Sequence, residues 1–331
     1  MSQFPPEMQG EKLTPPHHPG LGLVRVTEAA ALAAGRWMGL ADATNADHAA
    51  QDAMAMAMNL LPLRGRVISG EEGRFHEQSP LDSGSLIGTG EGPSMDVELN
   101  AIDGANMVSE GMPGAISVAA LSPRGTMWKP GPAIYMQKLV VDRDVAAELG
   151  PKALDAPPAW TLALVARQKG KDIGDLVVFV LKRRRHKKLI EEIRRAGARV
   201  FLREGGDVAG SLMAGYEGGE VDVLMGTGGA AEGLASACAL KVMGGQILSR
   251  IDPQSNEERK ACEDAGMDMN RILTADDMVS GNSVYFSATG ITDSVILEGV
   301  HYRGGVVETH TLALRSETGT RRIIKTEHRL K

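Results

Sequence analysis

From residue 176 to residue 243 short apolar runs alternate with helical patterns, and this alternation restricts the fold more than any other feature. Residues 176–181 form a continuous apolar run, suited to a strand buried on both faces. A helix through Leu189, Ile190 and Ile193 follows and stops at Gly197. Then come a strand at 199–202, a helix near 208–214, a strand at 221–225 and a helix over about 230–243. Strands joined through helices at this spacing lie parallel, so this stretch reads as an α/β lobe.

The rest of the chain has a different rhythm. Thr27 can N-cap a helix running from Glu28 to about Leu40, and a second helix starts after Asn45, with Asp47 in its first turn, and runs through Met54, Met58 and Leu61. The Met54-Ala-Met-Ala-Met58 stretch is read as core filler. Short β-type runs at 66–69, 85–88, 96–102, 115–121 and 134–141 are cut by Gly and Pro turns, and β signals return at 283–288, 306–314 and 321–326. A chain of 331 residues is long for one domain. The expected organisation is a disordered proline-rich arm at 1–20, an α+β lobe at 21–157 with a largely antiparallel sheet, and an α/β lobe at 158–331.

Composition excludes several classes. A net charge of −6 gives nucleic acid no general attraction. The basic run Lys182-Arg-Arg-Arg-His-Lys-Lys188 lacks interleaved aromatics and sits at a strand-to-helix turn, so phosphate contact is preferred to nucleic-acid binding. No apolar run approaches the roughly 18 residues of a membrane span, and the N-terminus has no apolar core of a signal peptide. Two cysteines, Cys238 and Cys262, make no disulfide framework, which suits a reducing, cytoplasmic setting. Glycine is abundant, 40 residues, and many of these fall immediately beside carboxylates.

Those carboxylates are the first candidate chemistry. Asp47 opens a helix, Glu71 follows a strand ending at Gly70, Asp103 precedes Gly104, and Glu232 follows Gly226-Thr-Gly-Gly-Ala-Ala231. Oxygen ligands delivered from several element ends are what a hard divalent cation requires. The same glycine loop, with Asp252 further on, also matches a dinucleotide fingerprint. Single carboxylates of this kind are ordinarily solvated or capping groups, and His48, beside Asp47, reads as an exposed first-turn residue. Ser236 and Ser287 have no visible His–Asp partnership.

Ordered motifs run along most of the chain: Arg25-Val-Thr-Glu-Ala-Ala-Ala-Leu-Ala, Asn45-Ala-Asp-His-Ala-Ala, Tyr135-Met-Gln-Lys-Leu-Val, Gly206-Asp-Val-Ala, Val221-Asp-Val-Leu-Met-Gly-Thr-Gly-Gly-Ala-Ala-Glu-Gly and Phe286-Ser-Ala-Thr-Gly-Ile-Thr. From Val24 to Arg329 the sequence resembles the class II fructose-1,6-bisphosphatases. The resemblance implies a layered, two-lobed α/β sugar-phosphatase fold of the fructose-bisphosphatase/inositol-monophosphatase type. It implies Mn²⁺ or Mg²⁺ as cofactor, a sugar bisphosphate as substrate, a homo-oligomer, and a place in gluconeogenesis and glycerol metabolism. Carried across by motif, Asp47, Glu71, Asp103, Glu232 and Asn100 would bind metal, with Asp103 and Glu71 catalytic. Asp103, Gly104, Ala105, Tyr135, Arg183, Arg184, Arg185, Gly205, Gly206, Asp207 and Gly229 would contact substrate. In this setting the glycine loop presents Glu232 and carries no dinucleotide.

The central motif departs from the family. Its Asp-Pro-Ile-Glu-Gly-Thr reads Asn100-Ala-Ile-Asp-Gly-Ala105 here, its Lys-Pro-Arg reads Arg183-Arg-Arg185, and the first Asp of its Asp-Gly-Asp is Gly205. Asn100 gives up a charge, Asp103 is one methylene short, and Ala105 has no hydroxyl for the attacking water. Two readings therefore stand: a phosphatase of weakened or altered activity, and a degenerate paralogue that binds sugar phosphates or a partner without turnover.

Overall fold

A computed structural model describes residues 19–71 and 79–329. In chain order the elements are α1 (Pro19–Gly35), α2 (Ala43–Met58), β1 (Arg64–Ser69), β2 (Leu86–Ile87), β3 (Ser94–Asp103), α3 (Ala105–Ser109), β4 (Ile116–Pro123), β5 (Tyr135–Val141), α4 (Arg143–Ala146) and α5 (Pro158–Lys169). The second half adds β6 (Val177–Leu181), α6 (Lys187–Arg195), β7 (Arg199–Arg203), α7 (Asp207–Ala214), β8 (Val223–Gly229), α8 (Ala230–Met243), β9 (Gln246–Ile251), α9 (Asn256–Asp264), α10 (Ala275–Met278), β10 (Tyr285–Gly290), β11 (His301–Arg303), β12 (Val306–Arg315) and β13 (Thr320–Arg329).

Among the described residues the strands build two sheets. The larger runs β11-β12-β10-β4-β3-β1-β2, with β13 paired to β12, and is antiparallel except for β1 against β3. The smaller runs β7-β6-β8-β5-β9. Its β6, β7 and β8 are parallel as the alternation predicts, while β5 lies antiparallel to both β8 and β9. Helices α1 and α2 cover the outer face of the large sheet, α7 and α8 lie between the sheets, and α4, α5 and α6 cover the outer face of the small one. No helix among the described residues is long and apolar enough to cross a membrane.

The central layer explains the composition of α8. Its residues from Gly233 to Leu240 are all buried, which is the pattern of a helix packed on every side. A Cβ on Gly233 would stand 2.1 Å from Met136 Sδ, so β5 and α8 approach closer than any side chain permits. Strand alternation sorts β5 as well. Met136, Lys138 and Val140 are directed at the central layer, whereas Leu139 and Val141 join the outer core.

Four expectations need correction. The division at residue 157 does not follow the sheets, because β5 belongs to the small sheet and β10 to β13 return to the large one. The large-sheet lobe is therefore discontinuous in sequence, since pairing of β10 with β4 closes that sheet over distant segments, whereas β5 to β9 of the small sheet are consecutive strands. The first helix runs over Pro19–Gly35, and Thr27 is buried in its middle. Its Oγ1 shares hydrogen bonds with Ser287 Oγ and Thr289 Oγ1, each 2.8 Å, so a contact across the sheet takes the hydroxyl that was expected to cap. Asp42 caps α2 instead, accepting from Asn45 N–H at 3.0 Å. Pro19 and Gly20, assigned to the disordered arm, open α1; the rest of that arm, with His17 and His18, lies outside the described residues. Met54 and Met58 are core, but Met56 between them faces solvent.

Candidate functional site

The site forms where β3, β6, β7 and β8 all end against the N-termini of the central helices. β3 finishes at Asp103 after a register shift between Asn100 and Asp103. Gly104 then turns the chain at φ 105°, a conformation that favours glycine. The Asp103 carboxylate is buried and caps α7. Oδ1 accepts from Asp207 N–H (3.2 Å), and Oδ2 accepts from Val208 N–H (2.9 Å) and Ala209 N–H (3.2 Å). Burial, reinforced by the charges of Glu232 and then Asp207, still pushes its pKa up to about 7.

Asp207 follows Gly206, another left-handed turn at φ 77°. Lys138 Nζ, on a side chain with no exposed surface, donates to Asp207 Oδ2 at 2.6 Å, and Gly229 N–H donates to the same oxygen at 3.1 Å. The glycine loop is what lets these carboxylates in. A Cβ on Gly228 would sit 1.9 Å from Asp207 Oδ2, and one on Gly229 1.7 Å from Glu232 Oε2. Glycine is needed here for close approach of side chains, and neither residue has a positive φ.

The cationic side is equally ordered. Arg185 donates from Nε and Nη2 to the Thr227 carbonyl (3.2 and 2.9 Å), and its guanidinium lies 4.8 Å from the centre of the Tyr135 ring. Register pairing sets Tyr135 opposite Gly229. His186 is buried behind this pair. Thr227 N–H donates to its Nε2 at 2.8 Å, so Nδ1 carries the proton and donates to Leu181 O at 2.6 Å. Burial, the leading cause, holds the imidazole below its ordinary pKa and therefore neutral.

One cavity of about 370 Å³ gathers Asp103, Gly104, Ala105, Tyr135, Arg183, Arg185, Gly205, Gly206, Asp207, Gly229 and Glu232, with Lys138, Thr227 and His186 behind its wall. Arg184 does not line it and is exposed in the turn before α6. Asp47, Glu71 and Asn100 are buried elsewhere, each outside the cavity wall. Asp47 Oδ2 accepts from Gln51 Nε2 at 2.6 Å, and Glu71 Oε1 accepts from the N–H of Ala101, next to Asn100, at 2.5 Å. Among the described residues Asp103 and Glu232 share the cavity lining, and Asp47 and Glu71 are not part of it. Among the described residues no three His, Cys, Asp or Glu side chains converge as metal ligands.

The donor set still fits a cation at one place. Mg²⁺ is commonly held by one or two carboxylates and completes its shell with phosphate oxygens and water. Asp103 and Glu232 repel each other in the cavity, which is the arrangement a dication relieves.

Over residues 18–328 the chain matches the family described as "Bacterial fructose-1,6-bisphosphatase, glpX-encoded". It belongs to that fructose-1,6-bisphosphatase family. It is similar to the "D-fructose 1,6-bisphosphatase class 2/sedoheptulose 1,7-bisphosphatase" of Synechococcus sp. (strain JA-3-3Ab), with 36% identity over 334 residues, 93% of this chain and 95% of the relative. It is also similar to the "Fructose-1,6-bisphosphatase class 2" of Haemophilus influenzae (strain ATCC 51907 / DSM 11121 / KW20 / Rd), with 37% identity over 319 residues, 92% of this chain and 94% of the relative.

In this fructose-1,6-bisphosphatase relative, three contributors escape sequence reasoning. Lys138 carried a usable signal, a lysine inside the otherwise apolar run Lys138-Leu-Val-Val141. Thr227 and His186 gave none, because their roles rest on backbone groups brought together from different strands.

Proposed function

We propose that this protein hydrolyses the phosphomonoester of a sugar bisphosphate, fructose 1,6-bisphosphate or a near relative, at the cavity between Asp103 and Arg185. The observation that carries this reading is the juxtaposition in one cavity of a carboxylate pair, Asp103 and Glu232, with the oriented guanidinium of Arg185. Arg183 and Arg185 bind phosphate, and Arg185 is held in advance by Thr227 and Tyr135, so little order is lost on binding. Lys138 holds Asp207 as an acceptor for a sugar hydroxyl. Asp103 and Glu232 would hold Mg²⁺ or Mn²⁺, which when bound supplies charge to the phosphoryl oxygens. Gly205 offers the sugar no side chain. Ala105 lacks a hydroxyl to orient the attacking water, so turnover is slower than in a site that has one. Cytoplasmic location and a homo-oligomeric state belong to the same proposal, the former supported by two free, buried cysteines.

A second reading, binding without turnover, is favoured by Asn100, Asp103 and Ala105, which stand where the family motif has Asp, Glu and Thr. One assay separates the two. Phosphate release from fructose 1,6-bisphosphate and sedoheptulose 1,7-bisphosphate is measured with Mg²⁺ and Mn²⁺, in the native chain and in Asn100→Asp/Asp103→Glu/Ala105→Thr. The phosphatase reading expects metal-dependent release, raised by about 10²-fold or more in the restored chain. Saturable binding with no release in either chain selects the second reading. Neither release nor binding sinks both.

A further inference from the structure

A larger cavity, of about 820 Å³, opens on the other face of the small sheet, under α5 and α6. It lies outside the carboxylate site and shares Arg185 with it. Pro157 is extended (φ −56°, ψ 141°) and Pro158 opens α5, while Leu154 O accepts from Gln137 Nε2 on β5 at 3.3 Å, so the segment entering the helix forms one wall.

The floor of this cavity is a built polar array. Arg250 Nη2 donates to Gln137 Oε1 (2.9 Å) while its Nη1 pairs with Asp155 Oδ1 (2.8 Å). Thr227 Oγ1 donates to Asp252 Oδ2 at 2.7 Å. Thr227 is thus a hub: its hydroxyl serves this cavity, its carbonyl holds Arg185, and its N–H holds His186. Arg250 is neutralised by Asp155, and Glu192 on the rim lies 3.7 Å from Lys188. Asp252 keeps one negative charge on the floor, so Arg185 and Arg195 together leave a single surplus positive charge, and Arg195 makes no ion pair among the described residues. The lining also contains an apolar portion, Leu139, Leu154 and Met225.

We propose that this cavity is a second ligand site, taking an anionic small molecule with a flat apolar body, such as an aromatic phosphate, and reporting its occupancy to the carboxylate site through Thr227 and Arg185. The anionic end meets Arg195 and the outer edge of Arg185, and the flat body lies on the apolar wall. An anion here competes with Thr227 for Arg185, so its binding weakens phosphate affinity at the first site.

The test is a binding experiment on the full chain and needs no turnover, so it is independent of the phosphatase reading. The probe is 8-anilinonaphthalene-1-sulfonate, followed by fluorescence and displaced with phenyl phosphate. Arg195→Glu reverses a solvent-exposed charge, and Ala196→Trp fills the rim of the cavity; unfolding midpoints verify that both variants are folded. The expected result is saturable binding, displaced by phenyl phosphate, weakened at least tenfold in Arg195→Glu and abolished in Ala196→Trp. Binding unchanged in both variants would overturn the site. Loss in Ala196→Trp alone would overturn its anionic assignment. Inorganic-phosphate affinity that is unaffected by saturating probe would overturn the link through Thr227.

Discussion

Replacing Lys138 by Met leaves Asp207 as a buried carboxylate beside two others. The ammonium lies 2.6 Å from Asp207 Oδ2, with no exposed side-chain surface on the lysine and 9% on the aspartate. At an effective dielectric near 20 such a pair attracts by roughly 6 kcal/mol, and losing one partner of a buried pair typically costs about 3–5 kcal/mol. Asp103 and Glu232 share the cavity with Asp207, which places Lys138→Met at the upper part of that range. Met is chosen because it fills the slot against Gly233, whose Cβ would lie 3.4 Å from Lys138 Cε. Equilibrium urea unfolding is the assay, with Asp207→Asn and the double variant completing a cycle. The double variant is expected to recover about 2 kcal/mol or more relative to the sum of the singles, because the orphaned charge is gone. A single-variant cost below about 1 kcal/mol, or strict additivity, would show that the ion pair does not hold Asp207.

Further outcomes follow from the same geometry. In EDTA the protein gains about 1 kcal/mol of stability as pH falls from 8 to 6.5, because folded Asp103 takes up a proton near pH 7 that the unfolded chain accepts only near 3.8. Below 6.5 the gain flattens, since buried His186 stays neutral while its unfolded counterpart becomes charged; denaturation midpoints that rise steadily with pH across this window would contradict the assignment. Gly229→Ala forces Glu232 aside without backbone strain, so Mn²⁺ affinity, read by calorimetry, falls several-fold more than stability does. Arg185→Lys loses both bonds to the Thr227 carbonyl and the Tyr135 stack, and weakens inorganic-phosphate binding by about tenfold; equal binding would mean that a point charge suffices.

The turns that line the candidate cavity were legible because they are local. Gly104, Gly206 and Gly229 lie within three residues of Asp103, Asp207 and Glu232, and a turn with its neighbouring acid can be read from a few consecutive residues; Gly228, which makes room for the distant Asp207, could not be read that way. The metal set was not legible, although Asp47, Glu71, Asp103 and Glu232 all follow the expected motifs. Whether two carboxylates share an ion or each finds its own donor depends on separations of an ångström or two between elements far apart in the chain. Gln51 holds one oxygen of Asp47 and the N–H of Ala101 one oxygen of Glu71, both contacts that no motif announces.

The sequence by itself determined the parallel β6, β7 and β8 unit, the helix that carries Glu232, and membership of the family, because periodicity and motif order are properties of consecutive residues. Tertiary structure alone decided that β5 joins the small sheet and so directs Lys138 inward. It alone made Asp103 a cap for α7, and it opened a cavity behind Thr227 larger than the one in front. Those outcomes depend on which distant strands pair and on which buried donor reaches a charge first, and pairing of that kind leaves no local trace in the chain.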